Sequence, residues 1–303
     1  MIHVDIPSGL LGRVVDLGQV TITREMIAGY VRAVGDRHDD TIAPPTYCLV
    51  LRRGMTPEID LARGTFGVYG GHDLEFRQSL RAGETYHLSG RVVDVYEKSG
   101  RGGPMAVVVR EAEVRTPGGE LVVRIVERQI VRQVPREQSR PPSPAKVESQ
   151  PQALRPANPP SPLSSEPEPG AELNPWRRAT PSPEAVASYV GSSQMREGLF
   201  VDADYARSLG YRGIVVPGPM LTAFIEQFLR QQLAGWRIER LSTTFRVPTI
   251  SGDALLLQGA VTERHAMADG EHILCDIIIE HDNGDRAVTA TATLRRVRSV
   301  GSV

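Results

Sequence analysis

One stretch of this 303-residue chain has the makings of a site that receives developing negative charge. Asp202–Trp236 ends in a long helix pattern, with Leu221, Phe224, Ile225, Phe228, Leu229 and Leu233 on one apolar stripe, entered through Val216-Pro217-Gly218-Pro219. A helix opening on Gly218 and Pro219 presents free backbone N–H groups and the positive end of its dipole, which suits an oxyanion or a thioester carbonyl. Proline has no N–H, so Gly218 is the expected donor. Ionisable side chains that could act with it are few. Asp36-Arg-His-Asp-Asp40 makes a charged turn after a helix, His72 begins a strand in Gly70-Gly-His-Asp-Leu-Glu-Phe76, and Glu197 stands in the loop before the opening stretch. No Cys/His cluster has metal-ligand spacing, so neither a metal nor a cofactor is expected. Gly100–Pro104 lies between two strands and reads as a hairpin, not a phosphate loop. Cys48 and Cys275 sit in apolar runs and are expected as buried free thiols.

The elements that must carry these residues fall into two similar series. The first runs from an extended lead-in (1–19) through a helix starting at Thr23, capped by Thr21 or Thr23, and a second helix over Ile42–Arg53. Strands follow at Val68–Phe76, Thr85–Tyr96, Met105–Arg115 and Leu121–Val131. From Val134 to Pro183 the composition shifts, and 14 of the 23 prolines fall there. This segment is expected as a flexible, partly polyproline-like linker; a proline-rich docking peptide is the alternative. It divides the chain into domains at 1–133 and 184–303. A helix over Glu184–Val190, the long helix over 219–234, and strands at Arg237–Val247, Ala254–His265, His272–His281 and Ala287–Val297 complete the second series.

The two series superpose. Phe76–Glu84 and Phe245–Asp253 share Phe-Arg, five residues, glycine and an acid; Tyr30-Val31 matches Tyr189-Val190; Pro44-Pro45 opens a helix as Pro217-Gly218-Pro219 does; and Gly118-Gly119-Glu120 answers Asn283-Gly284-Asp285. Each half is therefore an α+β unit, a helix lying across a curved antiparallel sheet, and the two are expected to pack as a pseudo-symmetric pair. A net charge of −1 gives no reason to expect nucleic acid or an anionic membrane surface. No run is apolar enough to span a bilayer, and the N-terminus does not read as a signal peptide, so a cytoplasmic protein is expected.

These residues resemble the MaoC-like hydratases and dehydratases of the double hot-dog fold. The N-terminal half is similar to the FAS1-like dehydratase type in Ile42-Ala-Pro-Pro-Thr-Tyr47, Phe76–Gly83 and Val92–Pro104, and the C-terminal half to the MaoC domain in Asp202–Ala206, Tyr211–Leu221 and Phe245–Leu255. The resemblance implies reversible addition of water to an α,β-unsaturated acyl thioester on coenzyme A or acyl carrier protein. It also implies a homodimer or a hot-dog partner subunit. Family members use an aspartate and a histidine five residues later, in an Asp-x-Asn-Pro-x-His loop, beside the N–H groups of the long helix. Here the C-terminal loop reads Met195-Arg-Glu-Gly-Leu-Phe200, which puts Met195 and Phe200 at those places. The N-terminal loop keeps Asp36 and His38, two residues apart, as a candidate catalytic pair; a solvated helix-ending turn is the alternative. Gly218, Tyr30, His72, Met195 and Phe200 are the expected substrate contacts. Two further readings stay open: a repurposed cyclase or isomerase for a polyketide-like intermediate, and a non-catalytic acyl-binding subunit.

Overall fold

The computed structural model describes residues 9–51, 64–100, 103–134, 159–193, 195 and 197–296. In chain order they form β1 (Val15–Thr21), α1 (Arg24–Ala33), a 3-10 turn (Pro45–Val50), β2 (Thr65–Phe76), β3 (Thr85–Gly100), β4 (Gly103–Arg115) and β5 (Leu121–Gln133). The second series is β6 (Glu172–Ala179), α2 (Pro183–Ser193), a 3-10 turn (Gly198–Phe200), α3 (Ala203–Ser208), α4 (Gly218–Gln232), β7 (Trp236–Phe245), β8 (Ala254–Met267), β9 (Gly270–His281) and β10 (Arg286–Arg296). The Thr23 hydroxyl caps α1 by accepting from Met26 N at 3.2 Å, and Asp202 caps α3.

All ten strands join one antiparallel sheet in the order β1-β3-β4-β5-β2-β7-β10-β9-β8-β6. The order reads as the same five-strand series from either edge to the middle, so the sequence repeat becomes a pseudo-two-fold. The halves meet where β2 pairs with β7, His72 opposite Thr243 and Asp73 opposite Ser242. Gly71 makes that seam possible: a Cβ there would lie 2.3 Å from the Thr243 carbonyl oxygen. The α+β pseudo-dimer is thus built mostly from one large sheet, with α4 as its long buried helix. Phe224, Ile225, Phe228 and Leu229 of α4 are fully buried, and α1 meets α2 through Tyr30 and Tyr189, their ring centroids 6.0 Å apart.

Two expectations are corrected. The segment 134–183 is not all linker: β6 pairs with the edge of β8 and occupies the place that β1 holds in the first half. Composition hid it because only Leu173 and Trp176 bury apolar side chains, and Pro175 falls where the register shifts, on an edge strand that tolerates proline. Residues 135–158 lie outside the described set. The helix expected over Ile42–Arg53 is a 3-10 turn at Pro45–Val50, and residues 52–63 lie outside the described set. Cys48 and Cys275 are buried free thiols, the latter pushed up to about 12 by burial. No helix of the described residues is long and apolar enough to cross a membrane.

Candidate functional site

The start of α4 is held by short backbone hydrogen bonds. Val215 N donates to Leu199 O at 3.1 Å, Val216 N to Thr249 O at 2.8 Å, and Met220 N to Pro217 O at 2.9 Å. Gly218 lies flat beneath the Phe245 ring, where an added Cβ would come within 2.6 Å of the ring carbons. Glycine alone lets the ring and the helix start approach this closely. The Gly218 N–H donates to no described residue, and Pro219 offers none. Gly218 lines a cavity of about 230 Å³ walled by Val68 and Tyr69 of β2, Leu199 and Phe200, Val216, Leu221 and Phe245. Tyr69 and Phe200 stack, with centroids 6.3 Å apart at 22°. Arg132, Arg246 and Tyr211 bring polar groups to the same cleft. Burial raises the Tyr211 pKa, against the lowering influence of Arg132, so the phenol stays a neutral donor.

His72 lies behind this wall. It is fully buried, its ring set against Tyr69 (5.5 Å) and edge-on to Phe245 (5.4 Å). Its Nε2 is 3.4 Å from a carboxylate oxygen of Glu127, its cross-strand neighbour on β5, and its Nδ1 is 3.5 Å from Thr222 Oγ1. The Thr222 hydroxyl in turn donates to Gly218 O at 3.3 Å. A buried polar chain, Glu127–His72–Thr222, therefore steadies the first turn of α4 from within. Sequence reading missed Glu127 and Thr222. The available signal was a glutamate in phase with the inward Val123 and Ile125 of its strand.

The charged turn is placed elsewhere. The Asp36 carboxylate is almost wholly buried and accepts from Arg230 at 2.6 Å, while Arg230 also donates to Glu226 at 2.9 Å. Asp36 thus ties the end of α1 to the last turns of α4. His38 bonds the Asp39 carbonyl at 2.9 Å and lines a smaller cavity of about 160 Å³ with Pro44, Pro45, Phe76, Leu80 and Arg237. The structure does not pair Asp36 with His38, because the Arg230 cation holds the carboxylate. Neither residue lines the cleft at Gly218. Tyr30 is buried between α1 and α2, its hydroxyl 2.9 Å from that of Thr46, and burial raises its pKa. Met195 packs on the core outside the cleft lining, and Glu197 precedes the Gly198–Phe200 turn. Of the expected substrate contacts, Gly218 and Phe200 line the cleft, and His72 supports it from behind. No group of His, Cys, Asp and Glu able to hold a metal occurs among the described residues.

Comparison with known proteins agrees with this architecture. Residues 10–125 match the family model of the FAS1-like dehydratase domain region. No curated protein sequence matches the chain. Among solved structures, a MaoC-like dehydratase superposes with a TM-score of 0.72 at 14% identity, over 95% of this chain and 99% of the other. A MaoC-like dehydratase from Phytophthora capsici gives 0.64 at 14% identity over 96% and 98%. A Mycobacterium tuberculosis protein described as a double hot-dog fold gives 0.64 at 17% identity over 95% and 96%. Residues 10–125 thus match the FAS1-like dehydratase domain region, and the fold over nearly the whole chain is the double hot dog of these MaoC-like structures.

Proposed function

We propose that this protein takes an acyl thioester of coenzyme A or acyl carrier protein into the cleft at the start of α4, in the hydratase/dehydratase reaction class. The observation that carries this reading is Gly218, the first residue of α4, lining a largely apolar cavity with a backbone N–H that donates to no described residue. A thioester carbonyl there receives a hydrogen bond and the helix dipole, both of which strengthen as the oxygen gains enolate charge. Apolar walls take the acyl chain, and Arg132 and Arg246 suit the phosphates of the carrier. The volume, below the usual range of ligand pockets, favours a short acyl group.

Addition or loss of water also needs a group to move the α-proton, and the described lining of this cleft holds neither a carboxylate nor an imidazole. That observation favours a second reading, a cavity that binds or positions an acyl chain for cyclisation or for a partner subunit. Titration with butyryl-CoA and turnover of crotonyl-CoA, followed by loss of the enoyl absorbance, distinguish the two. Saturable binding with hydration supports the first, and binding without hydration the second. No binding of either thioester overturns both.

A further inference from the structure

A second cavity lies away from the thioester cleft. It is about 380 Å³ in volume and sits between the end of α1, β6 and the later turns of α4. Gln227, on its wall, is nine residues beyond Gly218, roughly 14 Å along the helix at 1.5 Å per residue. At its base is Arg178, a guanidinium stacked on Phe224 (3.6 Å) and lying over Trp176 (4.7 Å). Its N–H groups donate to neutral acceptors, Gln227 Oε1 at 3.1 Å and Val34 O at 3.3 Å. Burial pushes its pKa down to about 10, and among the described residues the one carboxylate acting on it, Asp36, is already hydrogen-bonded to Arg230 and the Arg37 N–H. A largely enclosed cation whose hydrogen bonds, among the described residues, go to neutral acceptors bears a desolvation cost that Asp36 offsets only in part.

Two other polar atoms on this cavity's wall residues point the same way. Trp176 Nε1–H, on a side chain more than nine-tenths buried, and Gln231 Oε1 find no hydrogen-bond partner among the described residues. Buried polar atoms in native proteins are nearly always satisfied, so an unsatisfied donor and acceptor beside a buried cation describe a ligand's complement. Arg32 and Arg37 stand exposed at the edge and raise the local positive potential.

We propose that this pocket binds a small oxyanion that also carries a hydrogen-bond donor. Its carboxylate or phosphate meets Arg178 and the Trp176 N–H, and a hydroxyl donates to Gln231. The site draws on both halves of the chain, because Arg32–Arg37 come from the first series and β6 and α4 from the second.

Isothermal titration of the full-length protein with L-malate, inorganic phosphate and sodium chloride at matched ionic strength tests the assignment. Saturable heat is expected with malate or phosphate and not with chloride. If malate is tighter, the natural ligand is a hydroxycarboxylate; if phosphate is tighter, a phosphorylated molecule. Arg178→Met is expected to weaken binding more than tenfold, the value of a hydrogen bond to a charged group. Trp176→Phe keeps the ring under Arg178 and removes only the N–H, and Gln231→Leu removes only the acceptor. Each should weaken binding about three- to tenfold with an unchanged melting temperature, so the proposal stays testable if Arg178→Met fails to fold. No oxyanion-specific heat in the wild type, or equal affinity in Trp176→Phe and Gln231→Leu, overturns it.

Discussion

The two helix starts of the repeat have diverged in opposite senses. In the C-terminal half, Pro217-Gly218 leaves one N–H without an acceptor among the described residues, at a glycine that packs on Phe245 and lines a largely apolar cleft with Phe200 and no described acid or base. In the N-terminal half, Pro44-Pro45 removes both amide protons at the corresponding place, while His38 stands in the smaller cavity beside Phe76. The donor and the imidazole are in different clefts. The difference teaches that a repeated hot-dog unit does not give two equal sites: one cleft has a glycine at its helix start, where the proposed carbonyl would sit, and the other has two prolines there. The charged turn has followed the second course, its Asp36 recruited to hold α4.

The comparison can be broken most severely at Asp36. If its role is structural, Asp36→Ala leaves Arg230 without one partner of a buried ion pair and costs about 3 kcal/mol in urea unfolding. A fold of unchanged stability with altered turnover would return the residue to catalysis. Next, Gly218→Val drives a side chain into the Phe245 ring and fills the cleft, so butyryl-CoA affinity should fall at least ~30-fold, or about 2 kcal/mol. Equal affinity would move the thioester elsewhere.

Glu226 sharpens the account of the network on α4. Burial raises its pKa to about 7, the Arg230 cation opposing and Asp36 adding to the shift. The folded state therefore holds this proton more tightly than the unfolded chain does. The stability it contributes is full below the unfolded carboxylate value and is lost as pH rises through about 7. Glu226→Gln should flatten that dependence between pH 5 and 8, by on the order of 2 kcal/mol, read from unfolding curves at the two pH values. An unchanged slope would mean that another group titrates. The smallest effect is expected from His38→Ala, which should change butyryl-CoA affinity less than about twofold, since His38 does not line the Gly218 cleft.

Much of this division was legible beforehand. The Phe76 and Phe245 matches gave the repeat, period-two alternation gave eight strands close to their observed bounds, and the Pro-Gly-Pro entry marked the start of α4. What stayed hidden was tertiary. The partner that captures Asp36 lies 194 residues away on α4, and no local pattern announces it. His72 reads as a strand residue, yet its meaning depends on Glu127 across the sheet and Thr222 above it. Strand β6 escaped because an edge strand with one proline and two buried apolar side chains has the composition of a linker.

The central claim is that the carbonyl of the thioester is received at Gly218. A crystal structure with butyryl-CoA, which has no double bond to hydrate, tests it directly. The account predicts the acyl chain between Tyr69, Phe200 and Leu221, with its carbonyl oxygen within hydrogen-bond distance of the Gly218 N–H. A thioester seated beside His38 and Pro45, with the Gly218 cleft closed, would contradict it.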